Sequence, residues 1–308
     1  MEIVVAIVQA LLLALLAPLF SGVSRWMRAK MHTRKGPSIW QDYYDIAKLF
    51  KRQDVRTAES SFVHRLMPPL FMGCMLVLAM GIPMITRLSP VPALGDIILI
   101  IYLMALPRFF FSLSAIDSGS AYAGAGGVRE LIVGVLVEPA MMLALFTVAI
   151  AAGTTSVGAL GDAVATLSVS SPVGVVLAGV AFFAACYVEL GKLPFDLAEA
   201  EQEIQEGPLS EYSGPSLAMA KMALSMKQIV VVSWFCAIFL PWGAATELTV
   251  GALLLGLVIW FVKVGVVFFL CTVFENAVSR VRYKLVGRQT WAIVAFAAFA
   301  FVFCALGI

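Results

Sequence analysis

Eight apolar runs, each near the roughly 20 residues a helix needs to cross hydrocarbon, leave this chain little choice of architecture. They fall at 3–23, 67–87, 96–116, 129–152, 172–191, 226–243, 249–274 and 290–307. Inside a bilayer every backbone N–H and C=O must be satisfied within the segment, so runs of this length predict helices. Composition agrees: 61% of residues are hydrophobic and 13% charged, with a mean hydropathy of +0.97, whereas a soluble domain carries about 25% charged residues. The expected fold class is all-α, a polytopic membrane protein with eight transmembrane helices, residues 1–308 forming a single integral membrane domain. The first run begins at Ile3 with no basic n-region and no small-residue cleavage site, so it reads as a retained helix.

The basic residues orient it. With both termini outside, 18 of the 21 Lys and Arg residues fall on the cytoplasmic side and only Arg87 lies outside, which satisfies the positive-inside rule. Arg108 and Lys263 fall within spans. The expected cytoplasmic segments are 24–66, 117–128, 192–225 and 275–289. In the first of them Ile39, Tyr43, Ile46 and Phe50 recur at helical spacing, with Gln41, Asp42, Asp45, Lys48 and Lys51 on the other face. That pattern predicts an amphipathic helix on the membrane surface or under a partner.

Several chemistries find no residues to carry them. Cys74, Cys186, Cys236, Cys271 and Cys304 are scattered singly through apolar runs, and no Cys-x-x-Cys pair occurs, so they read as small buried hydrophobes. His32 and His64 lack ligand-like neighbours in the sequence. Gly124, Gly126 and Gly127 come between spans three and four and read as a tight turn. No cofactor or metal is expected in this chain, and any redox centre belongs to partners.

The carboxylates are the functional signal. Six of the 19 acidic residues crowd into 192–214: Asp196, Glu199, Glu201, Glu203, Glu206 and Glu211. Asp196, Glu199, Glu203 and Glu206 are offset by 0, 3, 7 and 10, so a helix there would put four carboxylates on one face, where mutual repulsion favours protonation. A solvated acidic loop is the plain alternative. Deeper in the chain, Glu138 lies about ten residues into span four, with Glu130, Glu189 and Glu275 near the inner boundary. Intramembrane charges are costly, and they either pair or line a water-filled path. Glu138 could pair with Lys263 or Arg108, or belong to a proton relay running to the acidic segment. Pro139 beside it would loosen the helix.

The stretch from Lys192 to Gly214, with its Pro194-Phe195-Asp196, its alternating glutamates and its terminal Glu211-Tyr212-Ser213-Gly214, resembles the signature of the complex I subunit 1 family. The Arg34-Lys35-Gly36-Pro37 turn, Asp45 to Leu49, and Arg280-Val281-Arg282-Tyr283 are similar to its first and last cytoplasmic loops. Two departures point to one branch. Gly207-Pro208-Leu209-Ser210 precedes Glu211, and Gly36-Pro37-Ser38 lacks the pattern of quinone-reducing members. With Phe50 to Gln53 and Phe274 to Asn276, these look like the membrane subunit of energy-converting [NiFe] hydrogenases of the formate hydrogenlyase subunit 4 and hydrogenase-4 component C type.

That resemblance implies a membrane anchor and proton-coupling subunit, non-catalytic alone, in the cell inner membrane. The implied partners are a [NiFe] large subunit, an iron–sulfur small subunit, antiporter-like membrane subunits and the bilayer. The [NiFe] centre and iron–sulfur clusters would sit in those partners. The implied proton path is Glu130, Glu138, Glu189, Asp196, Glu199, Glu201, Glu203, Glu206 and Glu211, with Arg25, Arg28, Arg34, Lys35, Arg280 and Arg282 contacting the cytoplasmic arm or lipid. A quinone-module subunit of an NADH dehydrogenase complex is the alternative.

Overall fold

The computed structural model describes residues 2–281 and 283–307, except the side chains of Glu201, Gln202 and Lys284. The helices, in chain order, are α1 (Glu2–Met31), α2 (Gln41–Phe50), α3 (Phe62–Gly81), α4 (Ile97–Asp117), α5 (Ala121–Ala152), α6 (Val157–Ala165), α7 (Pro172–Glu189), α8 (Glu201–Ile204), α9 (Gly214–Phe239), α10 (Val250–Ala277) and α11 (Tyr283–Ala305). Eight of them, α1, α3, α4, α5, α7, α9, α10 and α11, are long and apolar enough to cross a membrane. Among the described residues there is no β-strand, only the isolated bridges Thr86 to Ala245 and Asp96 to Ser156.

Local chemistry sets the ends. Ser61, Asp96 and Thr249 each accept a hydrogen bond from an N–H in the first turn of the helix they precede, satisfying donors that have no partner inside the helix. Pro172 opens α7, where a missing N–H costs nothing. Helix α5 stops at Gly153, whose φ of 70° suits the left-handed cap.

The core runs through the bundle, with Trp234 of α9 edge-on to Phe182 of α7 at a centroid distance of 5.2 Å. Helix α5 packs against α4, α7 and α11, while α1 packs against α3, α9 and α10. The last helix therefore docks on α5 and α7 and not on its chain neighbour α10. All five cysteines are buried and free.

Two expectations change and one open alternative is decided. The glycines at 124–127 form no turn, because α5 begins at Ala121 and carries them inside it. Two of them serve approach: a Cβ on Gly127 would meet the Ser112 carbonyl oxygen of α4 at 2.8 Å, and one on Gly126 would meet Pro208 Cδ at 2.6 Å. The segment 117–128 is thus mostly helix, and α9 likewise starts at Gly214 within the expected 192–225 segment.

The acidic stretch does not form a long helix with four carboxylates on one face. Asp196 and Glu199 lie in irregular backbone, and only Glu201–Ile204 is helical before Gln205 and Glu206 turn to positive φ. Helix α2 exists, yet its polar residues do not share one solvated face. Asp42 is buried against Arg25 at 2.7 Å, whereas Tyr44 and Lys48 are exposed.

Candidate functional site

A single arginine organises the interior. Glu130, Gly134 and Glu138 are spaced at i, i+4 and i+8, so they form one stripe along α5. Arg108 of α4 lies across that stripe at its middle. A Cβ on Gly134 would stand 2.5 Å from Arg108 Nη1 and 2.6 Å from its Cδ, so only glycine leaves room for the guanidinium. Nη1 donates to Glu138, Nη2 donates to Glu189 at the end of α7, and Nε faces Glu130 at 3.7 Å.

From α9, Lys227 Nζ joins the same group, 3.2 Å from Glu189 and 3.6 Å from Glu130. Three carboxylates therefore share two cations, which leaves the set one negative charge in excess when every member is ionised. Arg108 and Glu189 are 7% and 6% exposed, and buried charges of this kind persist only when paired. Pro107 and Pro139, adjacent to Arg108 and Glu138, both lie inside helices. Each removes an N–H and leaves a carbonyl one turn back free for water or a side chain.

The network opens onto a cavity of about 360 Å³ between α1, α2, α7, α9 and the acidic stretch. Arg108, Glu130, Glu189 and Lys227 form one wall, while Arg25, Arg28, Lys192 and Glu275 line another. On the second wall Glu275 holds Arg28 at 2.6 Å and Lys192 at 3.6 Å. Burial pushes the Lys192 ammonium below its ordinary value, and the Glu275 charge opposes the shift. A second space of about 10 Å³ touches Glu138, Arg108, Glu189 and Trp234, room for about one water.

The acidic stretch is gripped along its length. Arg280 binds Asp196 at 2.7 Å, Arg129 binds Glu203 at 2.6 Å, and Lys221 approaches Glu206 at 3.9 Å. Its far end is tied to the first turn of α3 and to the segment before it. Ser213 exchanges hydrogen bonds with the Val55 backbone, and Tyr212 stacks on His64 with centroids 3.9 Å apart and donates to the His64 carbonyl. Glu199 lines the cavity and has no cation within ion-pair distance among the described residues. Burial, followed by the charges of Asp196 and Glu130, pushes its carboxyl up to about 7, against the pull of Lys227.

Of the residues named from the sequence, Glu130, Glu138, Glu189 and Arg108 meet directly. Lys263 does not join them, since its ammonium donates to the Leu240 carbonyl just past the end of α9. Glu138 thus pairs with Arg108 and not with Lys263. Arg25, Arg28 and Arg280 make ion pairs within the fold, while Arg34 and Lys35 are exposed. Glu211 is partly buried. Arg282 and the Glu201 side chain lie outside the described residues.

A family model for NADH dehydrogenase matches residues 2–306. The chain belongs to this family. Hydrogenase-4 component C of Escherichia coli (strain K12) is 49% identical over 306 residues, 99% of this chain and 97% of the relative. Formate hydrogenlyase subunit 4 of the same organism is 46% identical over 302 residues, 98% of each. An NADH-quinone oxidoreductase subunit of Rhodospirillum centenum is more distant, 26% identical over 306 residues, covering 94% of this chain and 89% of that one. Among solved structures, a chain of the membrane-bound sulfane sulfur reductase, an archaeal respiratory membrane complex, superposes with a TM-score of 0.84 at 25% identity, covering 97% of this chain and 99% of that one.

Within this family member, Gly134, Lys192 and Lys227 escaped the sequence reading. Gly134 had a signal in the Glu130, Gly134, Glu138 spacing. Lys227 had a weaker one: it sits at the very edge of an apolar run, where a lysine is ordinary. Nothing local could have revealed that Lys192 enters the gap between α1 and α10, with its ammonium 5.4 Å from the Phe268 ring.

Proposed function

We propose that the chain is the membrane anchor and proton-coupling subunit of a membrane-bound [NiFe] hydrogenase of formate hydrogenlyase type. Identity of 49% and 46% across nearly the whole chain supports that branch over the quinone-module alternative. The partners of this reading are a [NiFe] large subunit and an iron–sulfur small subunit on the basic face, with antiporter-like subunits beside it in the inner membrane. Both termini then face outside, and the redox centres reside in the partners.

One observation carries the coupling role: an unbroken run of carboxylates and cations from the cavity to the interior of α5. Glu199 faces the cavity, Glu130 and Glu189 share Lys227 at its wall, and Arg108 links both to Glu138. From the first residue of α5 to Glu138 the rise is about 26 Å at 1.5 Å per residue, which puts that carboxylate deep in the span. Its side chain keeps 33% exposure, so it ends the path at the bundle surface, where a membrane partner would continue it.

Glu138→Gln tests this. Arg108 retains Glu130 and Glu189, so the variant complex assembles, while proton uptake by vesicles coupled to hydrogen turnover falls at least about tenfold, or about 1.4 kcal/mol on the barrier. Normal uptake by a fully assembled variant overturns the coupling role. Mass spectrometry of the gently solubilised complex finds hydrogenase subunits, and exclusive recovery of quinone-reductase partners overturns the branch.

A further inference from the structure

The two cations of the network are built differently. Arg108 is held from three sides: its guanidinium meets a different carboxylate through each of its nitrogens and lies against Gly134. It stays charged at any working pH. Lys227 has a flexible four-carbon stem, a 12% exposed side chain, and an ammonium that touches Glu189 and Glu130 while facing the cavity.

Glu199 lines the same cavity and has no cation within ion-pair distance among the described residues. Glu130, Glu138, Glu189, Asp196, Glu203, Glu206 and Glu275 all have one. Asp196, Glu206 and Glu130 act on Glu199 as negative charges, and Lys227 is the positive charge that acts on it. Glu189 and Glu138 also feel the charge of Lys227.

We infer that Lys227 is a charge switch that decides whether the proton sits at the cavity edge, on Glu199, or inside the network, on Glu130 or Glu189. In the arrangement seen here the ammonium pairs with Glu130 and Glu189 and leaves Glu199 to hold a proton. When the ammonium swings toward Glu199, that carboxyl releases its proton. The O–H bond broken at Glu199 is replaced, through cavity water, by one formed on Glu130 or Glu189. Lys227 remains an ammonium throughout and the net charge of the set is unchanged.

Burial and the neighbouring carboxylates already raise Glu199 to about 7, which puts its release within reach of a small change in local potential. Arg108 prevents the inner carboxylates from losing all compensation during the swing. Charge arriving on a protein docked over the cavity would supply the bias. This inference rests on the coupling role proposed above, but its first test does not.

That test is an equilibrium infrared titration of the purified complex, without turnover, in wild type, Glu199→Gln, Lys227→Met and Lys227→Arg. The wild type shows a protonated carboxyl band titrating near neutral pH that is absent from Glu199→Gln. In Lys227→Met the same band titrates at higher pH, because the opposing charge of Lys227 is gone, and in Lys227→Arg it stays near the wild-type position. A band unaffected by Lys227→Met, or still present in Glu199→Gln, overturns the switch whether or not the complex pumps.

Should Lys227→Met fail to assemble, Lys227→Met with Glu189→Gln removes the ammonium together with its nearest carboxylate and still predicts the upward shift. Under turnover, the wild-type band changes with reduction of the complex, and in Lys227→Met it does not. Coupled proton uptake then falls at least about tenfold, while uncoupled hydrogen turnover persists. Uptake unchanged in Lys227→Met also overturns the inference.

Discussion

The two ends of the bundle are held by different forces. At the end rich in Lys and Arg, the helices enclose a cavity and are joined mostly by side-chain charges, with Arg108, Lys227, Lys192, Arg129 and Arg280 each holding a carboxylate from another element. At the opposite end the loops are closed by backbone. Arg87 N–H donates to the Ala245 carbonyl and Ala245 N–H to that of Ile85, both at 2.9 Å, while Val157 N–H donates to the Gly95 carbonyl at 2.8 Å. Glycine permits that closeness: a Cβ on Gly256 would stand 2.6 Å from the Ile85 carbonyl oxygen. Charges that can move protons lie at one end, and a seal lies at the other. On the proposed coupling role, a path entering from the cavity would leave the bundle at Glu138, whose side chain is 33% exposed.

Arg108→Leu should damage the charged end most severely. It strips three carboxylates of their shared cation, a loss on the order of 3–5 kcal/mol for a buried pair. The expected outcome is little or no assembled complex on native gels, and wild-type levels would refute the central role of Arg108. Gly134→Ala should act through the same arginine by overpacking, costing about 1–3 kcal/mol. It should lower thermal stability and coupled uptake together, and a variant with both intact would show that Arg108 has room to spare.

The pH dependence of stability probes the same end from the cavity side. The folded chain holds the Glu199 proton up to about 7, well above the ordinary value of 4.5. Its contribution to stability is thus fully present below about 4.5 and lost as pH rises through about 7. Unfolding temperature should decline across that window, less steeply in Glu199→Gln, and identical slopes would argue against a proton held at Glu199.

The smallest effect belongs to the sealed end. Arg87→Ala removes an ion pair with Asp162 whose carboxylate is half exposed, worth about 0–1 kcal/mol. Coupled uptake should not change, since the backbone bonds keep the loops closed. A proton leak in this variant would mean that the seal depends on that pair.

The eight helices were legible in the order of residues, because hydrocarbon leaves a backbone of this length and apolarity no other way to satisfy its polar groups. Glu130, Glu138, Glu189 and Arg108 stood out in the same way, because charge inside an apolar run is costly wherever it ends up. How those charges pair was not legible. Arg108 and Lys263 were equal candidates for Glu138 until α4 and α5 were seen to pack through Gly127 and Gly134, while Lys263 turned to the end of α9.

The acidic stretch stood out in the sequence, which left its shape open between a helix and a solvated loop. Its shape is set by distant cations, Arg280, Arg129 and Lys221, each of which captures a different carboxylate. The glycines at 124–127 taught the same lesson, since small residues permit a turn or a close helix contact equally well, and only the neighbouring Ser112 and Pro208 chose between them. Local sequence states which groups must be satisfied. Which partner satisfies each is decided by packing between elements far apart in the chain, and that is why Lys227 emerged only from the fold.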